Sequence, residues 1–320
     1  MELDPRFKFV PIPDTPQTVR LQIAGLAPPT TDLGPLEVML GPGEAPAKWK
    51  GTGFNTIWRP RSDPAQRHDL ELNLTDESID FSRIPGNIPN RGFLQHDINM
   101  FGVNYLQQIS DANLKAGLHF EPGIWAVVPP TSNPLEPQTV VRMASIPHGT
   151  VILAQGTADR YPLAGGPVIP HITITPFVEG QPSVLKPFPL QSTLNPHNPF
   201  TIGNLTGITQ AMVDNPNSVL VDALANVHPI QTSTLRVSTA PTPTPGGGTA
   251  NTAFLQGTPS PVPDANANAR AAEATAIFWF TEVQTKKGAH EMWLLYTQRV
   301  LLNFGGLSWP HVTVGVLVKQ

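Results

Sequence analysis

Two histidines and one glutamate carry the residue types from which this chain could build a chemical site. His119 and Glu121 stand two apart in the run Gly117-Leu118-His119-Phe120-Glu121-Pro122-Gly123-Ile124-Trp125. Side chains of a pleated strand alternate between faces, so both point the same way. Burying such a pair on an apolar strand is costly unless the two bond to each other or face a cavity. Together they could do acid and base work or hold the polar end of a ligand. His311 stands at the mouth of the last apolar run, Trp309 to Lys319. It shares a face with Thr313, Gly315 and Leu317, while Val312, Val314, Val316 and Val318 share the other. Thr and Gly leave room beside the imidazole, as a cavity-lining strand requires, which makes His311 a candidate metal ligand. His148, between Pro147 and Gly149, reads as an exposed turn residue.

The commoner signatures of catalysis are missing. There is no P-loop, no Gly-x-Gly-x-x-Gly after a strand, no His-Glu-x-x-His and no Gly-x-Ser-x-Gly. His119-Phe120-Glu121 spells the first half of a zinc-deaminase motif, but the chain has no cysteine to complete it. The same lack excludes disulfides, thiolate zinc sites and thiolate haem ligation. No His-x-His occurs, against a cupin-like metal site.

The elements that must position these residues are short strands. With 37 prolines and 26 glycines in 320 residues, long helices are excluded, while Val, Ile and Leu are too frequent for a disordered chain. A net charge of -4 with 14% charged residues argues against a nucleic-acid partner and provides no polybasic membrane patch. No apolar run is long enough to span a bilayer, and Met1-Glu2-Leu3-Asp4-Pro5 has no secretory character. The expectation is a cytoplasmic protein whose partner is a small or apolar molecule.

Along the chain, residues 1–45 read as a proline-rich arm. Residues 46–156 read as the first part of a β-barrel, from the glycine-bent strand Trp49 to Trp58, through Leu70 to Leu74 and Ile79 to Ile84, to the pairs Val103–Ser110 with Leu118–Val128 and Thr139–Ala144 with Thr150–Gln155. Ile84 to Met100 reads as a loop. Residues 157–271 read as an insertion, with scattered strands such as His171 to Thr175 and Ser233 to Ser238, a helix candidate over Thr209–Asn226 divided by Pro216, and a low-complexity mobile loop from Ala240 to Asn268. Residues 272–320 supply the last barrel strands, Ala274–Val283, Met292–Phe304 and the final run. The fold class is therefore all-β, an antiparallel up-and-down barrel. Its valine-rich outer face must be covered by the insertion or by a second subunit, which would make a homo-oligomer. Five of the six tryptophans, Trp49, Trp58, Trp125, Trp279 and Trp309, read as core residues.

On three motifs the chain resembles the nitrobindins, a family of haem-binding barrels of lipocalin-like shape. Trp49, Gly51 and Gly53 match that family's early Trp-x-Gly-x-Gly strand; His119, Glu121 and Gly123, with Trp125, match its mid-chain strand; Pro310 and His311 match the opening of its last strand. The glycine usual two places before the tryptophan is Ala47 here, and the insertion has no counterpart. The resemblance implies haem b with His311 as the proximal iron ligand and His119 on the open side, handling nitric oxide, peroxide or peroxynitrite. Arg91 and Arg142 could meet haem propionates or pair with carboxylates. Two readings without metal stand beside it: a lipocalin-like carrier of an apolar molecule, with His119 and Glu121 fixing its head group, and a lipocalin-like cyclase or isomerase of secondary metabolism using that pair as acid and base.

Overall fold

Alternation of side chains, repeated over ten long segments, closes the chain into a ring. The computed structural model describes residues 33–41, 46–60, 69–187, 201–202, 205–240 and 246–320. Within them the ring strands are β1 (Ala47–Arg59), β2 (Asp69–Arg83), β3 (Ile98–Asp111), β4 (Gly117–Val128), β5 (Thr139–Ile146), β6 (Thr150–Ala158), β7 (Val227–Ser238), β8 (Arg270–Thr285), β9 (His290–Phe304) and β10 (Leu307–Lys319). Each pairs antiparallel with the next, and β10 returns to β1 over the register Trp49↔Lys319 to Thr56↔Val312. The result is the closed up-and-down barrel expected, with ten strands and further short strands outside the ring.

Inside and outside follow strand parity. On β2, Ile79 and Phe81 join the inner cluster with Trp49, Trp125, Phe280 and Leu317. Leu70 and Leu72, of opposite parity, join Val312, Val314, Trp58 and Trp309 in an outer one. All five tryptophans named above are buried. The inner cluster closes one end of the barrel, where the helical turn Gly34–Leu40 inserts Leu36, Met39 and Leu40 and the Trp49 indole donates to the Met39 carbonyl at 2.9 Å. Of the proline-rich arm, residues 1–32 and 42–45 lie outside the described residues.

The insertion covers the valine face. Ile174, Ile208, Val213 and Leu220 pack against Phe54, Leu72, Val312 and Val314. Pro216 divides the expected helix into Gln210–Asp214 and Ser218–Leu224, because a mid-helix proline removes a hydrogen bond and clashes with the preceding turn. Asn217 sits fully buried at that break, donating to the Pro170 carbonyl at 2.7 Å and accepting from Thr297 on β9.

Four readings need correction. Residues 157–271 are not wholly inserted, since β7 within them is a ring strand paired with β8 along its whole length. Ala240 to Asn268 is not a free loop over its described part: Gly248–Asn251 pairs with Thr150–Leu153 of β6, and the helical turn Ala253–Gln256 follows. His171 to Thr175 runs extended without ladder partners, and Ile88–Asn90, inside the expected loop 84–100, pairs with Ile98–Met100. In each case the deciding factor is which backbone edge a distant segment meets.

Truncating Leu220→Ala removes a fully buried side chain from the cover over the valine face and is expected to cost about 2–5 kcal/mol, read as a lowered urea midpoint with an unchanged slope.

Candidate functional site

The end of the barrel opposite the Gly34–Leu40 plug holds a cavity of about 280 Å³. It lies where the ring is loosest. β6 pairs with β7 only through Gln155–Ala158, and its first residues pair instead with Gly248–Asn251. The turn that follows places Leu255 on the cavity. Ile57, Ile109, Ile152, Val237 and Val300 give it aliphatic walls, and a row of alanines on β8 keeps it open. Among the described residues none that lines it is Phe, Tyr or Trp.

His119, Glu121 and His311, the three residues singled out by type and spacing, all line this cavity, and His148 joins them. His119 Nε2 donates to Glu121 Oε2 at 3.0 Å. The His148 ring lies 6.1 Å from that of His119, and its Nε2 donates to the Leu118 carbonyl at 3.1 Å, so the exposed turn sits at the cavity mouth. Arg142 pairs with a carboxylate as one of its two expected roles proposed: its guanidinium donates to Glu121 and, through Nε, to the Tyr105 hydroxyl at 2.8 Å, and Tyr105 in turn donates to Glu121. The rings of Phe278, Tyr105 and Trp125 lie 5.2, 5.4 and 5.7 Å from the guanidinium carbon. Gly123 makes this possible, since a Cβ there would strike the Tyr105 ring. Arg91, in contrast, is an exposed residue 3.9 Å from Asp97 and takes no part.

Burial alone would raise the Glu121 pKa, but the Arg142 charge and the bonds from His119 and Tyr105 outweigh it and hold the carboxyl at about 2. His311 goes the other way. Burial pushes its imidazole down to about 4, offset only in part by its bond to the Trp58 main chain, so it is neutral at physiological pH. Its Nε2 lies 2.9 Å from the Trp58 carbonyl and 3.1 Å from the Trp58 amide nitrogen.

A second buried carboxylate escaped sequence reasoning. Glu77 of β2 accepts from Thr75 Oγ1 at 2.6 Å and from the Tyr296 hydroxyl. Desolvation raises its pKa to about 7, against the bonds from Thr75 and Tyr296 and the pull of His119. It occupies the gap left where Gly53 of β1 faces Gly315 of β10; a Cβ on Gly315 would lie 2.6 Å from Glu77 Oε2. The available signal was parity, since Glu77 falls on the same face as Ile79 and Phe81. Splitting β2 into two short strands broke that count.

Among the described residues no three His, Asp or Glu side chains converge as a metal site. Haem needs fewer protein ligands, and His311 supplies the neutral imidazole it would require. The rest of the arrangement does not fit that group. Nε2 is engaged by Trp58, which leaves Nδ1, one bond nearer the backbone, where a macrocycle would crowd its own strand. Arg142, the one Lys or Arg on the cavity among the described residues, is already held by Glu121 and Tyr105. The volume also falls at the small end of ligand cavities, roughly 300–1,000 Å³.

Fold and site define a class: a closed antiparallel barrel with a cavity at one end, where the buried Glu121 and Arg142 pair with each other. No protein-family model matches the chain, and no curated protein matches it. Among solved structures it is similar to one titled "Crystal Structure of Rv2717c from M. tuberculosis", at 13% identity and a TM-score of 0.38, over 90% of this chain and 99% of that one. That similarity is too remote to transfer a role to any residue.

The two carboxylates tilt stability in opposite directions with pH. Glu77 binds its proton more tightly folded than at the ordinary 4.5, so its contribution is full below pH 4.5 and is lost as pH rises to about 7. Glu121 binds its proton less tightly folded, so its contribution is present above pH 4.5 and is lost as pH falls toward 2. Urea midpoints measured against pH should lose the first slope in Glu77→Gln. Glu121→Gln should lose the second and, by leaving Arg142 buried without its counter-charge, cost about 3–5 kcal/mol at neutral pH.

Proposed function

We propose that this protein is a metal-free binding barrel that holds one small, uncharged, amphipathic molecule in the cavity between β4, β6, β8 and β10. The observation that carries this reading is the cavity itself: aliphatic walls, a volume of about 280 Å³, and Glu121, Arg142 and His311 already bonded to protein groups. Glu121 and Arg142 neutralise each other, and His311 is uncharged, so none of these three offers a charged guest a counter-ion. Polar atoms among aliphatic walls favour a guest with a hydrogen-bonding end and a hydrocarbon body.

The same geometry disfavours acid and base catalysis by the His119 and Glu121 pair. A carboxylate receiving three donors, with a pKa near 2, is a weak base at neutral pH. Its place is to hold Arg142 and His119 in position. A haem reading, with iron on His311 and His119 on the open side, requires the His311 ring to leave Trp58.

Titration with the neutral fluorophore N-phenyl-1-naphthylamine is expected to show saturable binding to a single site, lost when Ala274→Phe fills the cavity from β8. A wild-type protein that gives no saturable signal would sink the carrier reading. Added hemin is expected to give no saturable Soret shift. A stoichiometric shift abolished by His311→Ala would replace the carrier with a haem protein acting on nitric oxide, peroxide or peroxynitrite.

A further inference from the structure

One row of the cavity wall is polar without being charged. Thr313 of β10 lies directly opposite Asn55 of β1 on one side and Gln298 of β9 on the other, so the three side chains stand at one level on adjacent strands. All three line the cavity. Neighbouring strands are about 4.8 Å apart, and the inward curvature of a closed barrel turns the outer two side chains toward each other.

The hydrogen bonds around this row fix which end of each amide is spent. Thr313 Oγ1 donates to Asn55 Oδ1 at 2.9 Å, which consumes the carbonyl of Asn55 and leaves its Nδ2. On the other side a chain runs away from the cavity in one direction. Gln298 Nε2 donates to Gln107 Oε1 at 2.9 Å, Gln107 Nε2 donates to the Tyr296 hydroxyl at 3.0 Å, and Tyr296 donates to Glu77. Every one of these links points away from the cavity, and the atom left there is the carbonyl oxygen Gln298 Oε1. Among the described residues no protein group answers Asn55 Nδ2 or Gln298 Oε1, and neither atom is sealed from the cavity. The wall therefore offers one donor and one acceptor on either side of Thr313, with no charge.

We propose that Asn55, Thr313 and Gln298 form a head-group subsite for the donor-and-acceptor edge of an uncharged carboxamide or lactam. The guest's carbonyl accepts from Asn55 Nδ2, its N–H donates to Gln298 Oε1, and its hydrocarbon part lies against Ile57, Val300 and Leu302. An ester or a tertiary amide offers acceptors alone and leaves Gln298 Oε1 unanswered. A carboxylate brings an uncompensated charge and no donor. The assignment rests on the carrier reading and narrows it to a chemical class.

Competition against bound N-phenyl-1-naphthylamine at pH 7.5 tests it, with octanamide, N,N-dimethyloctanamide and octanoate as competitors. Octanamide should displace the fluorophore, while the dimethylamide and octanoate should each compete about 10-fold more weakly or worse, the cost of a buried acceptor left without a donor. Gln298→Met should erase most of the preference for octanamide over its dimethyl derivative, each displacement being referred to the fluorophore affinity measured on that same variant. The comparison among competitors is made on the wild-type protein, so it stands even if the variant folds poorly. Equal competition by the three compounds would overturn the head-group assignment and leave the carrier reading intact, whereas a fluorophore that never binds would remove both.

Discussion

Closure of the ring between β1 and β10 is the constraint on which everything else depends. Eight paired positions, Trp49↔Lys319 to Thr56↔Val312, join residues more than 250 apart in sequence and leave the barrel without an open edge there. The pairing brings two glycines, Gly53 and Gly315, face to face. Side chains at that spot would collide with Val314, Tyr296 and Glu77. The missing side chains make a pit in the inner wall, and Glu77 fills it. The glycines of the first strand thus serve close approach in the assembled ring, and only one of them, Gly53, makes room for the carboxylate.

Enclosing charge in such a barrel requires that each ion find its partner inside. Glu121 does so through Arg142, with aromatic rings around the guanidinium that replace water by polarizable faces. Among the described residues Glu77 has no cation in contact and rests on hydroxyls, so the same burial that Glu121 tolerates as an anion drives Glu77 toward its neutral form. Two glutamates on inner faces of one barrel therefore behave oppositely, for a reason that lies in their neighbours. The lumen that results is polar in places and otherwise aliphatic.

The segment between the two main blocks of strands performs three tasks. Its first part lays Ile174, Ile208 and Leu220 over the outer valines. Its middle, β7, closes the ring. Its last part, Gly248–Asn251 with the turn carrying Leu255, takes the stretch of β6 that β7 does not reach. Thr249 and Asn251 anchor this last piece to the Ala271 carbonyl at 2.8 and 3.0 Å. A tract rich in small and turn-forming residues is ordered here because a free strand edge offers its backbone groups a partner.

Much of this was legible in residue order. Parity within a strand is a local property with a period of two, so the sequence by itself determined that His119 and Glu121 share a face, that His311 and Thr313 look one way while Val312 and Val314 look the other, and that Pro216 must split its helix. The abundance of proline and glycine among β-branched residues determined the all-β class. Tertiary structure alone decided which strands become neighbours and at what register. It set Arg142 onto Glu121, brought the His148 turn beside His119, turned His311 Nε2 to Trp58, and aligned Asn55, Thr313 and Gln298 in one row. Each of those contacts joins different strands, and their alignment depends on hydrogen-bond ladders that exist only once the ring has closed.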